Sequence, residues 1–473
     1  MQIGNHCASD SSEDPMKRFR PCSLDQPFLV PPSLQDWLPE GHLARFIAQL
    51  ATTLNLSEII AEYGRRDARG QSAYHPEMMV RLLLYGYAVG VRSSRAIEKA
   101  TYEDLAFRYL AADQHPDHSS IAEFRSVHLD KLSRLFVEAL ELCQRAGLVK
   151  LGQVAIDGTK VAANASRHQS RNYKRLQEKE AALAAEVKRL LAEAEQVDRE
   201  EDQAYGKGQR GDELPADLAT AQQQLDKIRA AKQELEQEAK HRAEQAAREQ
   251  AEQNGKAKDG AQRMRWSRAK AGVPAEGRKG NLTDPESALM IDGASKAFVQ
   301  GYNAQVAVAG VPQIIVAQTV VSEPTDKQQL QPMMELVEQT TGQVPELTTA
   351  DAGYWNESSI VEQQSKGRDL LIPPDRGPDR ITGKLPAHAP QGPAAQQMRA
   401  RLQAAASQDL YRKRCGMVEP VFGMIKDILG YRRFLMRGLR KVKGEWAMIC
   451  TAFNLIKLFR YGGNPGPKAA QIV

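Results

Sequence analysis

The sequence has few cysteines, and none of them is spaced to build a site. Five cysteines occur in 473 residues, and no two have the CxxC spacing of a zinc or redox motif. This argues against a disulfide framework and fits a reducing cytosol. No apolar run approaches the roughly 18 residues that a membrane-spanning helix needs. The N-terminal stretch also lacks the basic-then-apolar order of a secretory signal, so we predict a cytoplasmic protein with no membrane segment.

The chain has no large net charge, but its charge is unevenly distributed. Lysine and arginine total 64 against 59 acidic residues. Between Tyr411 and Tyr461, however, twelve basic residues face only three acidic ones. A basic block on an otherwise balanced protein indicates a polyanionic partner, with nucleic acid the first candidate. The alternative is a solvated helix face.

The N-terminal third of the chain has helical periodicity. Residues 1–30 are polar and aperiodic, which predicts a flexible arm. Residues 31–150 contain apolar residues three or four apart, as in HLARFIAQLATTLNL, and predict an all-α domain that binds DNA. In HPDHSSIAEFRSVHL, Asp117 and Ser119 are candidate caps for a helix bearing Arg125. That helix either contacts DNA or packs in the core, and packing is the favoured alternative.

The period then changes to that of strands. QVAID, FVQGYNAQVAVAG, PQIIVAQTVV, ELTTAD and DLLIPP have the composition of strands, with helices predicted at about 326–341 and 358–364. This order predicts an α/β domain with a mixed sheet, formed by residues 151–166 and 283–461. Residues 462–473 are predicted to be a flexible tail.

An insertion of residues 167–282 separates the first strand from the others. Leucines recur at heptad spacing in two arms, at Leu176 and Leu183 in the first and at Leu218 and Leu225 in the second. The segment AYGKGQRGDELP between the arms predicts a break, so we expect an antiparallel helical hairpin followed by a basic linker. An oligomerising coiled coil is the alternative.

Three acidic residues stand out by their context. In VAIDGTK, Asp157 is predicted to end a strand, although Asp-Gly is equally typical of a hairpin turn. Asp351 ends a second predicted strand. Glu419 precedes Pro420 in an apolar segment, which predicts a helix start packed against the sheet edge, and Lys426 is expected on the same helix face. Carboxylates collected at one sheet edge are candidates for a metal site.

These residues also form a known signature. Asp157, Asp351 and Glu419, with Tyr411, Arg414 and Lys426, resemble the catalytic core of bacterial insertion-sequence DDE transposases that carry a Tyr-Arg-Glu-Lys signature. Further matching motifs are DHSSIAEFR, VAIDGTKVAANAS, TDPES, GYNAQVAV and EPTDKQQL. The resemblance extends from about residue 17 to 460. Four residues separate Arg414 from Glu419, where three are usual in the signature.

The resemblance implies an RNase H-like catalytic domain that cuts and joins DNA strands. It implies that Asp157, Asp351 and Glu419 are the catalytic residues and bind two Mg²⁺ or Mn²⁺ ions, and that Tyr411, Arg414 and Lys426 contact the DNA backbone. Lys160 is a further candidate, since its charge follows Asp157 closely. The implied partner is double-stranded DNA, at the element ends and at the target, bound by a homodimer.

Downstream basic residues are a second candidate DNA contact. They are Arg432, Arg433, Arg437 and Lys441, with Arg440 and Lys443 nearby. Tyr431, Phe434 and Trp446 are interleaved with them, a mixture that can contact both phosphates and unstacked bases. Two alternatives to a transposase stay open: a DDE nuclease without strand transfer, and a catalytically silent DNA-binding repressor.

Overall fold

The computed structural model describes most of the chain. The described residues are 33–64, 73–205, 216–253, 274, 278–293, 296–375, 377, 386 and 389–462. The predicted arm at 1–30, most of the predicted basic linker and residues 463–473 of the predicted tail lie outside them. Among the described residues, no helix is both long and apolar enough to span a membrane.

The predicted helical character of the N-terminal region is confirmed. Its helices are α1 Leu43–Ala51, α2 Ser57–Gly64, α3 Pro76–Ala88, α4 Ser94–Glu103, α5 Leu105–Leu110, α6 His118–Val127 and α7 Leu129–Arg145. Side-chain caps start several of them: Asp104 accepts from two amides of α5, and Asp117 accepts from the amides of Ser119 and Ser120. Asp117 is therefore the cap of α6, and Ser119 is not.

Arg125 on α6 packs inside the protein. Its guanidinium donates to the main-chain oxygen of Arg92 at 2.7 Å and to Ser94 Oγ at 3.2 Å. A buried guanidinium with its donors used in this way is unavailable to a DNA groove. The packing alternative for Arg125 is confirmed.

The predicted mixed sheet is also confirmed. Its strands are β1 Gln153–Ala162, β4 Ala288–Ile291, β5 Phe298–Ala309, β6 Ile315–Val321, β7 Leu347–Thr349 and β8 Leu370–Leu371. Within the described residues the order is β4-β5-β1-β7-β8, with β6 also paired to β5. β1 and β5 are antiparallel, whereas β7 is parallel to both β1 and β8. Two helices lie between the later strands: α10 Leu330–Thr341 and α11 Glu357–Ser365.

β1 is longer than predicted and does not end at Asp157. Asp157 and Gly158 pair with Val306 and Gln305 of β5 in an uninterrupted antiparallel ladder. A hairpin turn at this Asp-Gly pair is therefore wrong, as is a strand end there. Close packing, rather than a turn, explains the glycine at position 158. A Cβ at this position would lie 2.7 Å from Asp326 Oδ1 and closer still to Gln305 Nε2.

The insertion forms the predicted antiparallel hairpin. Its arms are α8 Tyr173–Tyr205 and α9 Ala216–Gln253, and the short strands β2 Ser170–Asn172 and β3 Lys279–Asn281 pair at its base. Leu176 near the start of α8 packs with Ile228 and Leu235 in α9, while Val187 packs with Leu218. Moving forward along α8 from Leu176 to Val187, the contacts move backward along α9 from Leu235 to Leu218, so the arms are antiparallel. The predicted break at residues 206–215 lies outside the described residues.

The C-terminal helices close the core. They are α12 Pro393–Gln403, α13 Ala405–Gly423 and α14 Leu439–Tyr461, with a π-helical turn at Met424–Ile428 directly after α13. α14 is largely buried and packs against α3, α7 and β6. Its Asn454 side chain bonds to both the N–H and the C=O of Ile315 at 3.0 and 2.8 Å. The N-terminal helices, the sheet and α14 share one hydrophobic core.

Candidate active site

Asp157 and Asp351 lie side by side at the edge of the sheet. The last paired residues of β1 and β7 are Ala155 and Thr349, and each aspartate follows two residues later in its chain. Since parallel strands in register keep equivalent positions level, the two carboxylates come to the same place. β7 ends there, so the edge of β1 beside Asp157 is open. Asp351 Oδ1 accepts the Gly353 N–H at 2.9 Å, which fixes its side chain.

Arg414 supplies a positive charge to this pair. It lies on α13, and its Nη1 is 3.0 Å from Asp157 Oδ2. Arg414 Cζ stands 5.5 Å from the ring centroid of Tyr411, one turn earlier on the same helix. The signature residues Tyr411 and Arg414 are thus brought to Asp157. Gln153 Nε2 donates to the main-chain oxygen of Leu410 at 2.8 Å, which helps to hold α13 against β1.

Burial dominates the electrostatics of Asp157. Desolvation raises the pKa of Asp157 to about 6, against the opposing charge of Arg414. The charge of Asp351 raises the same pKa further, and the N–H of Gly158, at 2.8 Å from Oδ1, lowers it. A carboxylate held partly out of water next to a second one gains from any added positive charge.

The sequence prediction missed a third carboxylate beside this pair. Asp326 Oδ1 accepts from Asn303 Nδ2 at 2.6 Å and from Gln305 Nε2 at 2.7 Å. Tyr354 OH donates to Gln305 Oε1, which links this network to the residues after Asp351. Asp326 belongs to the motif EPTDKQQL, and Asn303 and Gln305 belong to GYNAQVAV. Both motifs were noted in the sequence, but their spacing did not predict that they lie beside Asp157 and Asp351.

The two candidate lysines are joined to the same network. Lys160 Nζ lies 3.4 Å from Asp326 Oδ1. Lys426 Nζ donates to the main-chain oxygen of Lys160 at 2.8 Å. Burial lowers the pKa of both ammonium groups, while the charge of Asp326 raises the pKa of Lys160 in opposition. Lys426 therefore packs on β1 in this structure, and Lys160 points to a carboxylate.

Glu419 does not join Asp157 and Asp351 here. It lies near the end of α13 with Pro420 inside the helix, so the predicted helix start is wrong. Its side chain is exposed. Proline at 420 leaves the Gly416 carbonyl without its usual helical donor, and Gln313 Nε2 donates to that oxygen at 2.9 Å instead. Among the described residues, no three acidic, histidine or cysteine side chains are close enough to bind one metal ion.

A basic loop at residues 431–438 continues from the site. It is fastened to the end of β1, because Ala162 N donates to Arg432 O at 3.1 Å and Phe434 N to Ala162 O at 2.8 Å. Arg433 and Arg437 line a cavity of about 600 Å³ beside it. The five residues from Asp157 to Ala162 span roughly 17 Å of strand. The loop therefore presents its arginines roughly 17 Å from the aspartates along the strand direction.

The aromatic residues of this segment are not part of its surface. Tyr431, Phe434 and Trp446 are fully buried. Tyr431 OH donates to the main-chain oxygen of Tyr87, and Trp446 Nε1 donates to that of Gln305. The expectation that they contact unstacked bases is wrong. The basic side chains instead point outward, where Arg432 pairs with Asp427 and Arg440 with Asp130, and Lys441 is exposed.

Three carboxylates, two of them buried, accept hydrogen bonds from the loop, its side-chain neighbours and the start of α14. Asp284 Oδ1, in the motif TDPES, accepts from Tyr302 OH at 2.7 Å and from the Gly438 N–H at 3.1 Å. Glu286 Oε2 accepts the Leu439 N–H at 2.8 Å, which starts α14. Glu445 accepts the N–H groups of Leu435 and Met436. The motif TDPES, whose role could not be predicted from its residues alone, therefore anchors the loop.

Two parts of the chain match known protein families. Residues 32–127 match the model described as Transposase domain (DUF772), and residues 384–459 match the model described as Transposase DDE domain. The protein is therefore a transposase with a DUF772 domain and a DDE domain. The DDE match contains Tyr411, Arg414, Glu419, Lys426 and the basic loop of this transposase, whereas Asp157 and Asp351 lie outside it. No curated protein and no solved structure matches the chain.

The predictions of a transposase and of an enzyme are thereby confirmed, and a catalytically silent repressor is disfavoured. A transposase acts on DNA, which agrees with the basic surface of the loop. The mixed sheet with a helical N-terminal region is consistent with the RNase H-like core of DDE transposases. The roles of the individual site residues stay predictions.

The donor set at the sheet edge partly fits the divalent cations that DDE transposases use. Asp157 and Asp351 offer only oxygen ligands, the type that Mg²⁺ and Mn²⁺ prefer. Two adjacent carboxylates, one of them desolvated, leave negative charge that Arg414 alone offsets only in part. The pair therefore fits one divalent cation. The third predicted ligand, Glu419, is not assembled with them.

Proposed function

We propose that this transposase binds the terminal inverted repeats of its insertion sequence, cleaves the DNA at the element ends and transfers the freed strands to a target. Its catalytic domain would be RNase H-like. The observation that carries the proposal is the pair Asp157 and Asp351, each two residues past the last paired position of the parallel strands β1 and β7, with Arg414 Nη1 3.0 Å from Asp157 Oδ2. Two carboxylates and a guanidinium are suited to phosphodiester chemistry.

Asp157 and Asp351 would bind divalent cations, Mg²⁺ or Mn²⁺, and Glu419 would complete the ligand set. Bound metal ions would stabilise the attacking and leaving oxygens of an in-line displacement at phosphorus. The protein's part is to hold the two carboxylates in position. The β1–β7 register and the Gly353 N–H do this for Asp351, and the Gly158 N–H favours the ionised form of Asp157.

Arg414 and Tyr411 would contact the DNA next to the cleaved bond. Arg414 is the guanidinium closest to the aspartates among the described residues, and its planar fork can donate two hydrogen bonds to a phosphate. Lys160 and Lys426 would add charge on the same side. Further along the duplex, Arg432, Arg433, Arg437 and Lys441 would neutralise backbone phosphates, because they are exposed on the anchored loop at residues 431–438 and at the start of α14.

The N-terminal helices would read the repeats, and two subunits would hold the two element ends in one synaptic complex. As an enzyme of chromosomal DNA, the protein would act in the bacterial cytoplasm. The hairpin α8–α9 would shape the DNA or the synaptic contacts. Its removal would impair transposition and leave the core folded, because its apolar seam is separate from the main core.

A strand-transfer assay tests this proposal. DNA carrying the repeats that flank the coding region is incubated with the transposase and a target plasmid, with Mg²⁺ or Mn²⁺ or with EDTA. We expect cut ends and joined products only with the metal, and neither with Asp351→Asn. The control is Gly416→Ala, a change in open space. Cutting without joined products would instead identify a nuclease, and activity of Asp351→Asn equal to wild type would overturn the assigned site.

A further inference from the structure

Asp326 occupies a place next to the catalytic pair that needs an explanation. It is a partly buried carboxylate in the loop before α10, and both glycines that follow the catalytic aspartates lie against it. A Cβ on Gly158 would be 2.7 Å from Asp326 Oδ1, and a Cβ on Gly353 would be 3.7 Å from Asp326 Oδ2. Asp326 therefore lies between the segments that bear Asp157 and Asp351.

The partners of Asp326 point to a specific task. Its Oδ1 accepts from two amides that cannot ionise, Asn303 Nδ2 and Gln305 Nε2, and lies 3.4 Å from one cation, Lys160 Nζ. The two amides pair across the sheet with Lys160 and Gly158, so their side chains share a face with that of Lys160. The amides fix the carboxylate, and the fixed carboxylate then fixes the lysine.

Lys160 is also held from its main chain. Its carbonyl oxygen accepts from Lys426 Nζ at 2.8 Å, so the backbone position of Lys160 is set by a residue of the Tyr-Arg-Glu-Lys signature. The Lys160 ammonium is itself mostly withdrawn from water, with 14% of the side chain exposed. Such a cation needs a nearby carboxylate to remain charged. Asp157 and Asp351 are close enough for their charges to act on it as well.

We propose that Asp326 is a positioning residue of this transposase, which holds the Lys160 ammonium beside Asp157 and Asp351 so that Lys160 binds a phosphate oxygen at the cleaved bond. The proposal rests on the function assigned to the aspartate pair above. In this role Asp326 would act through Lys160 and would contact neither the DNA nor a metal ion itself. A purely structural role would be to tie the loop before α10 to β5, and it predicts different results.

The test compares the wild type with Asp326→Asn, Lys160→Met and the double variant. The matched control is Glu323→Gln, which lies in the same loop and bonds to Asn303 through its main-chain oxygen rather than its carboxylate. Each protein is assayed for single-turnover cleavage of a repeat-end duplex, for affinity to that duplex in EDTA, and for thermal unfolding. The full chain is used throughout.

We expect Asp326→Asn to slow cleavage about tenfold or more, while its affinity for DNA stays the same or rises because a negative charge is gone. Lys160→Met should slow cleavage at least as much. In the Lys160→Met background the Asp326→Asn change should add less than about threefold, because the two residues act as one unit. Glu323→Gln should cleave like the wild type.

Three outcomes would overturn the inference. The first is cleavage by Asp326→Asn at the wild-type rate. The second is a double variant whose loss of cleavage rate equals the product of the two single losses. The third is an Asp326→Asn protein whose slower cleavage is fully explained by weaker DNA binding and a lower melting temperature. Failure of the proposed function looks different, since the wild type itself would then not cleave the repeat end.

Discussion

The substitution Gly158→Ala tests how closely the site is packed. The added Cβ would lie 2.7 Å from Asp326 Oδ1 and 3.0 Å from Asn303 Oδ1, and closer to Gln305 Nε2 than to either. Carbon contacts are normally about 3.5–4.0 Å. The side chains of Gln305 and Asp326 would have to withdraw by about 1 Å, which breaks the 2.7 Å bond between them.

The expected loss of unfolding free energy follows from these contacts. Overpacking a tight site costs about 1–3 kcal/mol, and a hydrogen bond to a charged group contributes about 1.5–3 kcal/mol. Replacing glycine in a strand returns about 0.5–1 kcal/mol. The net destabilisation is about 1.5–5.5 kcal/mol, and cleavage should fall at least about tenfold because Asp326 and its partners move.

Urea unfolding and single-turnover cleavage of a repeat-end duplex measure these two effects. The matched control is Gly416→Ala on α13, where a Cβ meets nothing within 4 Å. In that helical position alanine should be neutral or stabilising by up to about 1 kcal/mol. If Gly158→Ala were as stable and as active as the Gly416→Ala protein, the packing described around Asp326 would be refuted.

Three further predictions concern the scaffold. Burial raises the pKa of Glu445 above 4.5, so its favourable contribution to folding is complete below that pH and is lost as the pH rises through the folded-state value. In thermal unfolding over a pH series, the melting temperature of Glu445→Gln should therefore rise relative to that of the wild type as the pH rises. A difference in melting temperature that does not change with pH would contradict this. Leu176→Ala should destabilise the hairpin by about 2–5 kcal/mol and should speed amide hydrogen exchange in α8 and α9 alone. The control Leu191→Ala, on the same helix with 45% of the residue exposed, should leave exchange unchanged. Faster exchange throughout the sheet would contradict a separate apolar seam in the hairpin. Gly444→Ala would place a Cβ 2.5 Å from Leu129 Cγ and should lower the urea midpoint by the equivalent of about 1–3 kcal/mol, with partial recovery in the Leu129→Ala background; no recovery would show that the contact is not the cause.

Sequence patterns predicted the elements well and their junctions poorly. Helical periodicity located the N-terminal helices, and the heptad leucines located the hairpin, because both signals are local. The strand through Asp157 was predicted too short. Asp-Gly is a turn signal only when no partner strand extends past it, and here β5 pairs with β1 as far as Ala162. That information is in the tertiary fold.

The site itself was predicted in part. Asp157 and Asp351 could be expected to meet, because the parallel pairing of β1 and β7 places the two positions level. Glu419 was expected at a helix start since proline favours that position, but α13 begins fourteen residues earlier and its proline is tolerated inside. The place of Asp326 beside the site could not be predicted, because it depends on contacts with β1 and β5, which are distant in sequence.

The most direct test of the site is the cleavage rate of Asp157→Asn on a repeat-end duplex. Asparagine keeps the shape of the side chain but removes the charge that a divalent cation would require. With duplex binding measured in EDTA, we predict affinity close to that of the wild type and cleavage slower by about a thousandfold or more. Cleavage by Asp157→Asn at the wild-type rate, with the same metal requirement, would contradict the assignment of the catalytic pair.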